Sequence, residues 1–275
     1  MPTTQPDRSE NRPLALVTGA SSGIGAAFAR AYAQRGNDVV LVARRVDRLN
    51  HLADELARTH GVDAITVPAD LSEADAPDAI LQNITARGRK VDILVNNAGF
   101  GVPQDFARVT WERHRDFLMV SVVNACALTR AVLPAMIARR RGAVINVSSI
   151  TAFSPGAAGH TLYPAAKSFA LKFSLSLDAE VRAQGVRVTA VCPGFTRTEF
   201  HEASGTAATM EQAPRRFWTS AEDVVQAAIA GNESGKVVVI PGWHNKLAVA
   251  LMKYLPDGIV TPIIRAGAAR YRVED

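Results

Sequence analysis

Short apolar runs rich in Val, Ile, Leu and Ala recur along this chain, alternating with longer segments of helical periodicity. L-A-L-V-T at 14–18 precedes a helical segment from about Gly23 to Arg35, and V-V-L-V-A at 39–43 precedes one at about 46–60. A-I-T-V at 64–67 is followed by a helix over about 73–88, and V-D-I-L-V at 91–95 by two helices within about 110–140. A-V-I-N-V at 143–147 precedes a helix at about 161–184, and V-R-V-T-A-V at 186–191 and V-V-V-I at 237–240 complete the series. A strand that is apolar at successive positions has no polar face to offer water, so it belongs to a sheet covered on both sides. Parallel strands need long crossovers, which the intervening helices supply, and right-handed crossovers wind those helices onto both faces. The predicted fold is α/β, a doubly wound parallel sheet.

At 275 residues the chain can close one such sheet around a large core, and no linker or repeat divides it. We expect a polar, disordered tail at 1–11, a single domain at 12–242 and a C-terminal helical extension at 243–275. The first strand runs into T-G-A-S-S-G-I-G, Thr18 to Gly25, and then straight into a helix. Gly19 permits a tight turn, Gly23 lets backbone approach a phosphate, and Gly25 allows close packing of helix on strand. The free N–H groups of the helix start then face a pyrophosphate, which makes the sheet a dinucleotide-binding Rossmann fold. The spacing is G-x-x-x-G-x-G, without the Gly-Lys-Ser/Thr of a nucleoside triphosphate loop.

The second strand ends at Ala43-Arg44-Arg45, where an NAD site carries a carboxylate for the adenosine ribose. An arginine there clamps a 2′-phosphate instead, so the expected cofactor is NADP(H), with Arg44 the main contact and Arg45 in reserve. The bland alternative is a pair of solvated arginines opening a helix. Asp70, in A-D-L-S after the third strand, either accepts from the adenine amino group or caps the following helix, a role Ser72 also fits.

Tyr163 and Lys167 stand in Y-P-A-A-K at the start of a helix, one turn apart and on one side of it. An ammonium there favours the phenolate, and lowering a phenol from about 10 to about 7 takes roughly 4 kcal/mol. In isolation such a pair is more often a half-buried Tyr beside a surface Lys.

Taken in order, these segments resemble the short-chain dehydrogenase/reductase family over roughly residues 12–242. T-G-A-S-S-G-I-G matches its cofactor loop, and N-N-A-G at Asn96 to Gly99 the segment that steadies the central sheet. V-S-S at 147–149 precedes Y-P-A-A-K, and C-P-G-F-T-R-T at Cys192 to Thr198 is similar to the stretch at the nicotinamide end. The resemblance implies hydride transfer between NADP(H) and a carbonyl or secondary alcohol. Tyr163 is then the general acid/base, Lys167 lowers its pKa and bonds the nicotinamide ribose, and Ser149 orients the substrate oxygen. It places the cofactor among Gly19, Ser21, Ser22, Gly23, Ile24, Arg44, Asp70, Leu71, Asn97, Ala98, Gly99, Tyr163, Lys167, Pro193, Gly194, Thr196 and Thr198. Counted back from the tyrosine, the family's serine register falls on Ile150, whereas the strand ending V-S-S selects Ser149, with Ser148 the other candidate. The register of the family's relay Asn falls on Ser121, and Asn124 lies three residues out of register. A non-catalytic NADP(H)-binding sensor or scaffold is the alternative reading. The family pairs through the long helices flanking the serine strand, which implies a homodimer or homotetramer.

Other classes are disfavoured. The formal net charge of +5 is spread over helical segments, with only short clusters such as Arg139-Arg140-Arg141, so no nucleic-acid surface is expected. Cys126 and Cys192 sit in apolar segments as free thiols, which fits a reducing cytoplasm, and no histidine pair has metal-ligand spacing. His160 and His201 are read as incidental. No spanning membrane segment is expected, and N-I-T at Asn83 and N-V-S at Asn146 are chance matches to a glycosylation pattern. The substrate loop is placed at about 195–218, rich in small residues and suited to a lid. Beyond it, 243–275 carries apolar residues at helical spacing with basic ones between, and a proline divides it. This extension is expected to cover the site, to meet a second subunit, or to touch a membrane surface peripherally. Similar tails in the family accompany acyl or steroid-like ketones as substrates.

Overall fold

The computed structural model describes residues 12–156, 158–199 and 217–269. Seven parallel strands form one sheet in the order β3-β2-β1-β4-β5-β6-β7. They are β1 Leu14–Thr18, β2 Asp38–Ala43, β3 Ala64–Pro68, β4 Ile93–Asn96, β5 Gly142–Val147, β6 Val186–Val191 and β7 Val238–Val239. The helices are α1 Gly23–Gln34, α2 Val46–His60, α3 Ala76–Thr85, α4 Trp111–Leu118, α5 Asn124–Ala138, α6 Leu162–Val181, α7 Ala221–Glu233, α8 Trp243–Tyr254 and α9 Asp257–Ala269.

Successive strand side chains point to opposite faces, and here both faces are dry. Ala15 and Val17 of β1 join Val39, Leu41, Val95 and Ile145 in a core with Phe28 of α1, Leu49 and Leu56 of α2, and Val224 and Ile229 of α7. Leu14 and Leu16 turn the other way, with Val40, Leu94 and Val144, onto Ile80 of α3, Leu128 and Met136 of α5 and Val181 of α6. This is why the strands read as unbroken apolar runs.

The chain order reverses between β1 and β4, and a crevice opens at their C-terminal ends. A buried polar bridge ties the centre of the sheet to two helices. Asn96 and Asn146 are register partners on β4 and β5. Asn96 Nδ2 donates to Asn146 Oδ1 (2.9 Å) and to Thr129 Oγ1 of α5 (3.0 Å), while Asn146 Nδ2 donates to Ser174 Oγ of α6 (2.8 Å).

Several elements depart from expectation. α3 begins at Ala76, later than read, because Asp70 and Ser72 are used in the preceding turn. α7 has no counterpart in the sequence reading; Ser220 caps it by accepting from Asp223 N (3.0 Å), and Glu222 and Asp223 fill its first turn. The expected helix pair at about 110–140 is one helical run, α4 and α5 joined through a π-turn at Met119–Val123. By length and composition alone Trp111–Ala138 passes as a membrane span, yet its Phe117, Leu128, Val132 and Met136 are buried in the fold. At the C-terminus, Leu255 is forced extended before Pro256, which separates α8 from α9. The expected tail at 1–11 and residues 200–216 of the substrate loop, with His201, lie outside the described residues.

Candidate active site

The loop after β1 is locked to β4 by side chains. Thr18 Oγ1 donates to Val95 O (3.2 Å) and accepts from the backbone N–H of Asn97 (2.9 Å) and Ala98 (3.0 Å). Asn97 Nδ2 returns to Thr18 O (2.9 Å) and Gly19 O (3.3 Å). Gly19 has a φ of 66°, in the left-handed region, and a methyl group on Gly25 would lie 2.2 Å from the Gly19 carbonyl oxygen. The start of α1 carries neither a side-chain cap nor an acidic residue in its first turn. Its N–H groups are therefore left for an anion, and the cradle around them fits a dinucleotide pyrophosphate.

At the adenosine end the arginines divide. Arg44 is largely exposed and pairs with Asp70 (Nη1 to Oδ2, 3.5 Å). Asp70 also accepts from Ser72 N (2.9 Å) and Ser72 Oγ (2.8 Å), so it shapes a turn and caps no helix. Arg45 instead turns toward the glycine loop, donating to Ser21 Oγ (3.0 Å) and Ser22 Oγ (2.7 Å). Arg48, in the first turn of α2, faces the same cleft, as does Glu199. Neither was singled out in the sequence, although Arg48 lies within the same short basic run as Arg44 and Arg45.

Tyr163 and Lys167 are brought together as the spacing predicts, one turn apart on α6. Their electrostatics differ from expectation. Burial pushes the half-buried Tyr163 phenol up to about 12, and its hydrogen bond with the Ser149 side chain pulls the other way. The Lys167 Nζ lies 5.5 Å from the Tyr163 ring centroid and donates to Val147 O (2.9 Å). Burial pushes Lys167 itself down to about 8. Burial therefore sets the direction of the phenol's shift, opposite to the lowering expected from this ammonium, and the opposing pull comes from Ser149.

The adjacent serines also divide. Ser148 Oγ donates to Lys167 O (2.7 Å) and holds α6 against β5. Ser149 accepts from Thr151 N (3.1 Å) and bonds Tyr163, while Ile150 opens the following turn and offers no hydroxyl. Asn124 is committed to structure, donating to Leu71 O (2.8 Å) and Glu73 O (2.7 Å). Ser121 lies within the π-turn, a distortion often found at functional sites. Its Oγ and Asn96 Oδ1 are buried with no hydrogen-bond partner among the described residues. Both residues line a cavity of about 20 Å³ shared with Thr18, Asn146 and Lys167, which has the size and polar lining for one water.

Ser149, Tyr163, Lys167 and every residue named from the sequence for the cofactor line one cleft of about 750 Å³, the size of a cofactor-plus-substrate site. The segment leaving β6 forms one wall: a methyl on Gly23 would lie 2.8 Å from Thr198 Cβ. The C-terminal extension supports that wall. Asn245 of α8 is buried, donates to Pro241 O (2.8 Å), and would meet any side chain on Gly194 at 2.1 Å. Phe100, Pro103, Ile150 and Phe195 make the mouth largely apolar, with Arg113 stacked on Phe100 (4.4 Å) and His160 on the lining. Among the described residues no cluster of side chains suits a metal ion.

A family model described as short chain dehydrogenase matches residues 13–209. An uncharacterized oxidoreductase of Myxococcus xanthus is 36% identical over 258 residues, 94% of this chain and 97% of that one. A solved short-chain dehydrogenase from Sphingobium yanoikuyae in complex with NADPH superposes with a TM-score of 0.79 at 32% identity, covering 92% of this chain and 95% of that one. The bulky-bulky ketone specific alcohol dehydrogenase from Comamonas testosteroni gives a TM-score of 0.74 at 30% identity, covering 90% and 96%.

Proposed function

The chain belongs to the short-chain dehydrogenase family and is an NADP(H)-dependent oxidoreductase of CH–OH and C=O groups, and on that premise we propose a reductase of bulky, apolar ketones working through Ser149, Tyr163 and Lys167. The observation that carries this reading is the hydrogen bond joining the Ser149 and Tyr163 side chains at the cleft, with Lys167 buried one turn away. Bound NADPH supplies the hydride. Ser149 and Tyr163 converge on one point, where a substrate carbonyl oxygen receives two hydrogen bonds. The Tyr163 phenol, protonated because burial holds it near 12, then delivers its proton to that oxygen. Lys167 keeps positive charge beside the phenolate that is left until it passes a proton on to restore the phenol. A water held by Ser121 Oγ and Asn96 Oδ1 returns a proton toward Lys167, so Ser121 serves where the family has Asn. The apolar mouth and the bulky-ketone specificity of the Comamonas testosteroni structure support the substrate class.

The test is a pH profile of kcat/KM for reduction, with NADPH and whichever bulky apolar ketone of a panel turns over best. Reduction needs Tyr163 and Lys167 protonated, and the lower of the two pKa values is that of Lys167, at about 8. The rate is therefore flat below about pH 8 and falls above it. Ser121→Ala moves the falling limb to lower pH, since the ammonium loses a hydrogen-bonded water. A panel without turnover, or a flat profile through pH 10, sinks the assignment.

Assembly as a homodimer or homotetramer is part of the same proposal. Val123, in the π-turn before α5, and Phe169 and Leu175 on α6 stand exposed on the helical runs that flank β5. Trp243, Leu247, Leu251 and Tyr254 form a second exposed apolar stripe, on the face of α8 opposite Asn245 and Val249. Light scattering on the purified chain is expected to give a multiple of the 29.4 kDa mass. A monomeric mass would remove the subunit-contact reading of both surfaces.

A further inference from the structure

Glu199 follows Thr198 on the segment leaving β6, and its side chain reaches across the cleft to the basic start of α2. Its Oε2 lies 2.9 Å from Arg45 Nη1, and its Oε1 2.6 Å from Arg48 Nη1. The two guanidinium groups hold its carboxyl below the usual carboxylate range. Arg45 simultaneously donates to the hydroxyl groups of Ser21 and Ser22. Two arginines on one carboxylate, one of them also held by two hydroxyls, form a cationic donor set that suits a phosphate monoester as well. The backbone on which Glu199 rides is pressed against the glycine turn, where Thr198 Cβ would stand 2.8 Å from a methyl on Gly23.

Accepting the NADP(H) reading, on which this inference rests, we propose that Glu199 is a built-in competitor for the cofactor's 2′-phosphate. Its carboxylate and the phosphate draw on the same cations, Arg45 and Arg48, so each weakens the hold of the other. Linkage makes the effect reciprocal: fastening the segment after β6 loosens NADP(H), and binding NADP(H) frees that segment. NAD(H) has no 2′-phosphate and is indifferent to the exchange. Glu199 is thus a specificity-determining residue that restrains the preference for NADP(H) and eases cofactor exchange between turnovers.

Calorimetric titration of the full chain with NADPH and with NADH, in the wild type and in Glu199→Gln, tests this. The glutamine keeps the shape and removes the charge at a partly exposed position, so folding is not at stake. NADPH is expected to bind about fivefold tighter to the variant, with NADH within about twofold of wild type, as befits a solvent-screened ion pair. Unchanged or weaker NADPH binding overturns the proposal, and so does an equal change for both cofactors, which would make Glu199 a fastener or a general electrostatic influence. Wild-type protein without preference for NADPH over NADH would overturn the cofactor reading itself, and the competitor with it.

Discussion

Tyr163→Phe is expected to lower kcat for ketone reduction by about 10³-fold while leaving the NADPH dissociation constant within about twofold. The substitution removes one oxygen and little else. The Tyr163 ring packs against the small cluster of Val102, Phe117 and Ala166, and phenylalanine retains that packing, so the melting temperature should hold. What disappears is the proton at the cleft and the hydrogen bond with Ser149. A general acid contributes roughly 10²–10⁴-fold, and among the described residues lining the cleft no other hydroxyl of comparable acidity can take over, because Ser149 is a far weaker acid. Steady-state kinetics with the same ketone, beside fluorescence titration of NADPH, measures both halves. Turnover equal to wild type would show that the proton comes from elsewhere.

Gly25→Ala should be the most damaging small substitution at the cofactor end. Its methyl carbon would fall 2.2 Å from the Gly19 carbonyl oxygen and 2.6 Å from Asn97 Nδ2. The first neighbour is backbone and the second is itself tied to Thr18 O and Gly19 O, so neither yields cheaply. Overpacking of this kind costs about 1–3 kcal/mol and here displaces the turn that cradles the pyrophosphate. We expect NADPH to bind at least about tenfold more weakly and the melting temperature to fall by roughly 5 °C. Thermal unfolding with and without NADPH reads both effects. Near-wild-type values in both would mean that the loop accommodates the methyl and that its fit to α1 is not limiting.

Much of this site was legible because its signals are local. The turn after β1, the one-turn spacing of Tyr163 and Lys167, and the serines ending β5 each lie within a few residues of one another. The element boundaries were legible to within a few residues for the same reason. α7 is weakly marked because most of its apolar residues are alanines, although Ser220 followed by Glu222 and Asp223 is an N-terminal signature. The choice between Ser148 and Ser149 was not local. It depends on which strand face meets α6, and the structure spends Ser148 on the Lys167 carbonyl.

Composition and pattern by themselves determined the doubly wound sheet, the dinucleotide turn at its first strand and the tyrosine–lysine pair, since each follows from periodicity or steric permission over one or two turns of chain. Tertiary structure alone decided how those parts work. Arg45 meets Ser21 and Ser22 from the next strand and Glu199 from the far wall, Asn245 reaches Gly194 from the C-terminal helix, and Asn124 is consumed by the turn before α3. It also set the protonation of the pair, because a pKa depends on how much water the fold leaves around a group, and Lys167 and Tyr163 are desolvated by elements far away in sequence. Proximity is written in spacing, but solvation and long-range partners exist only once the chain has closed.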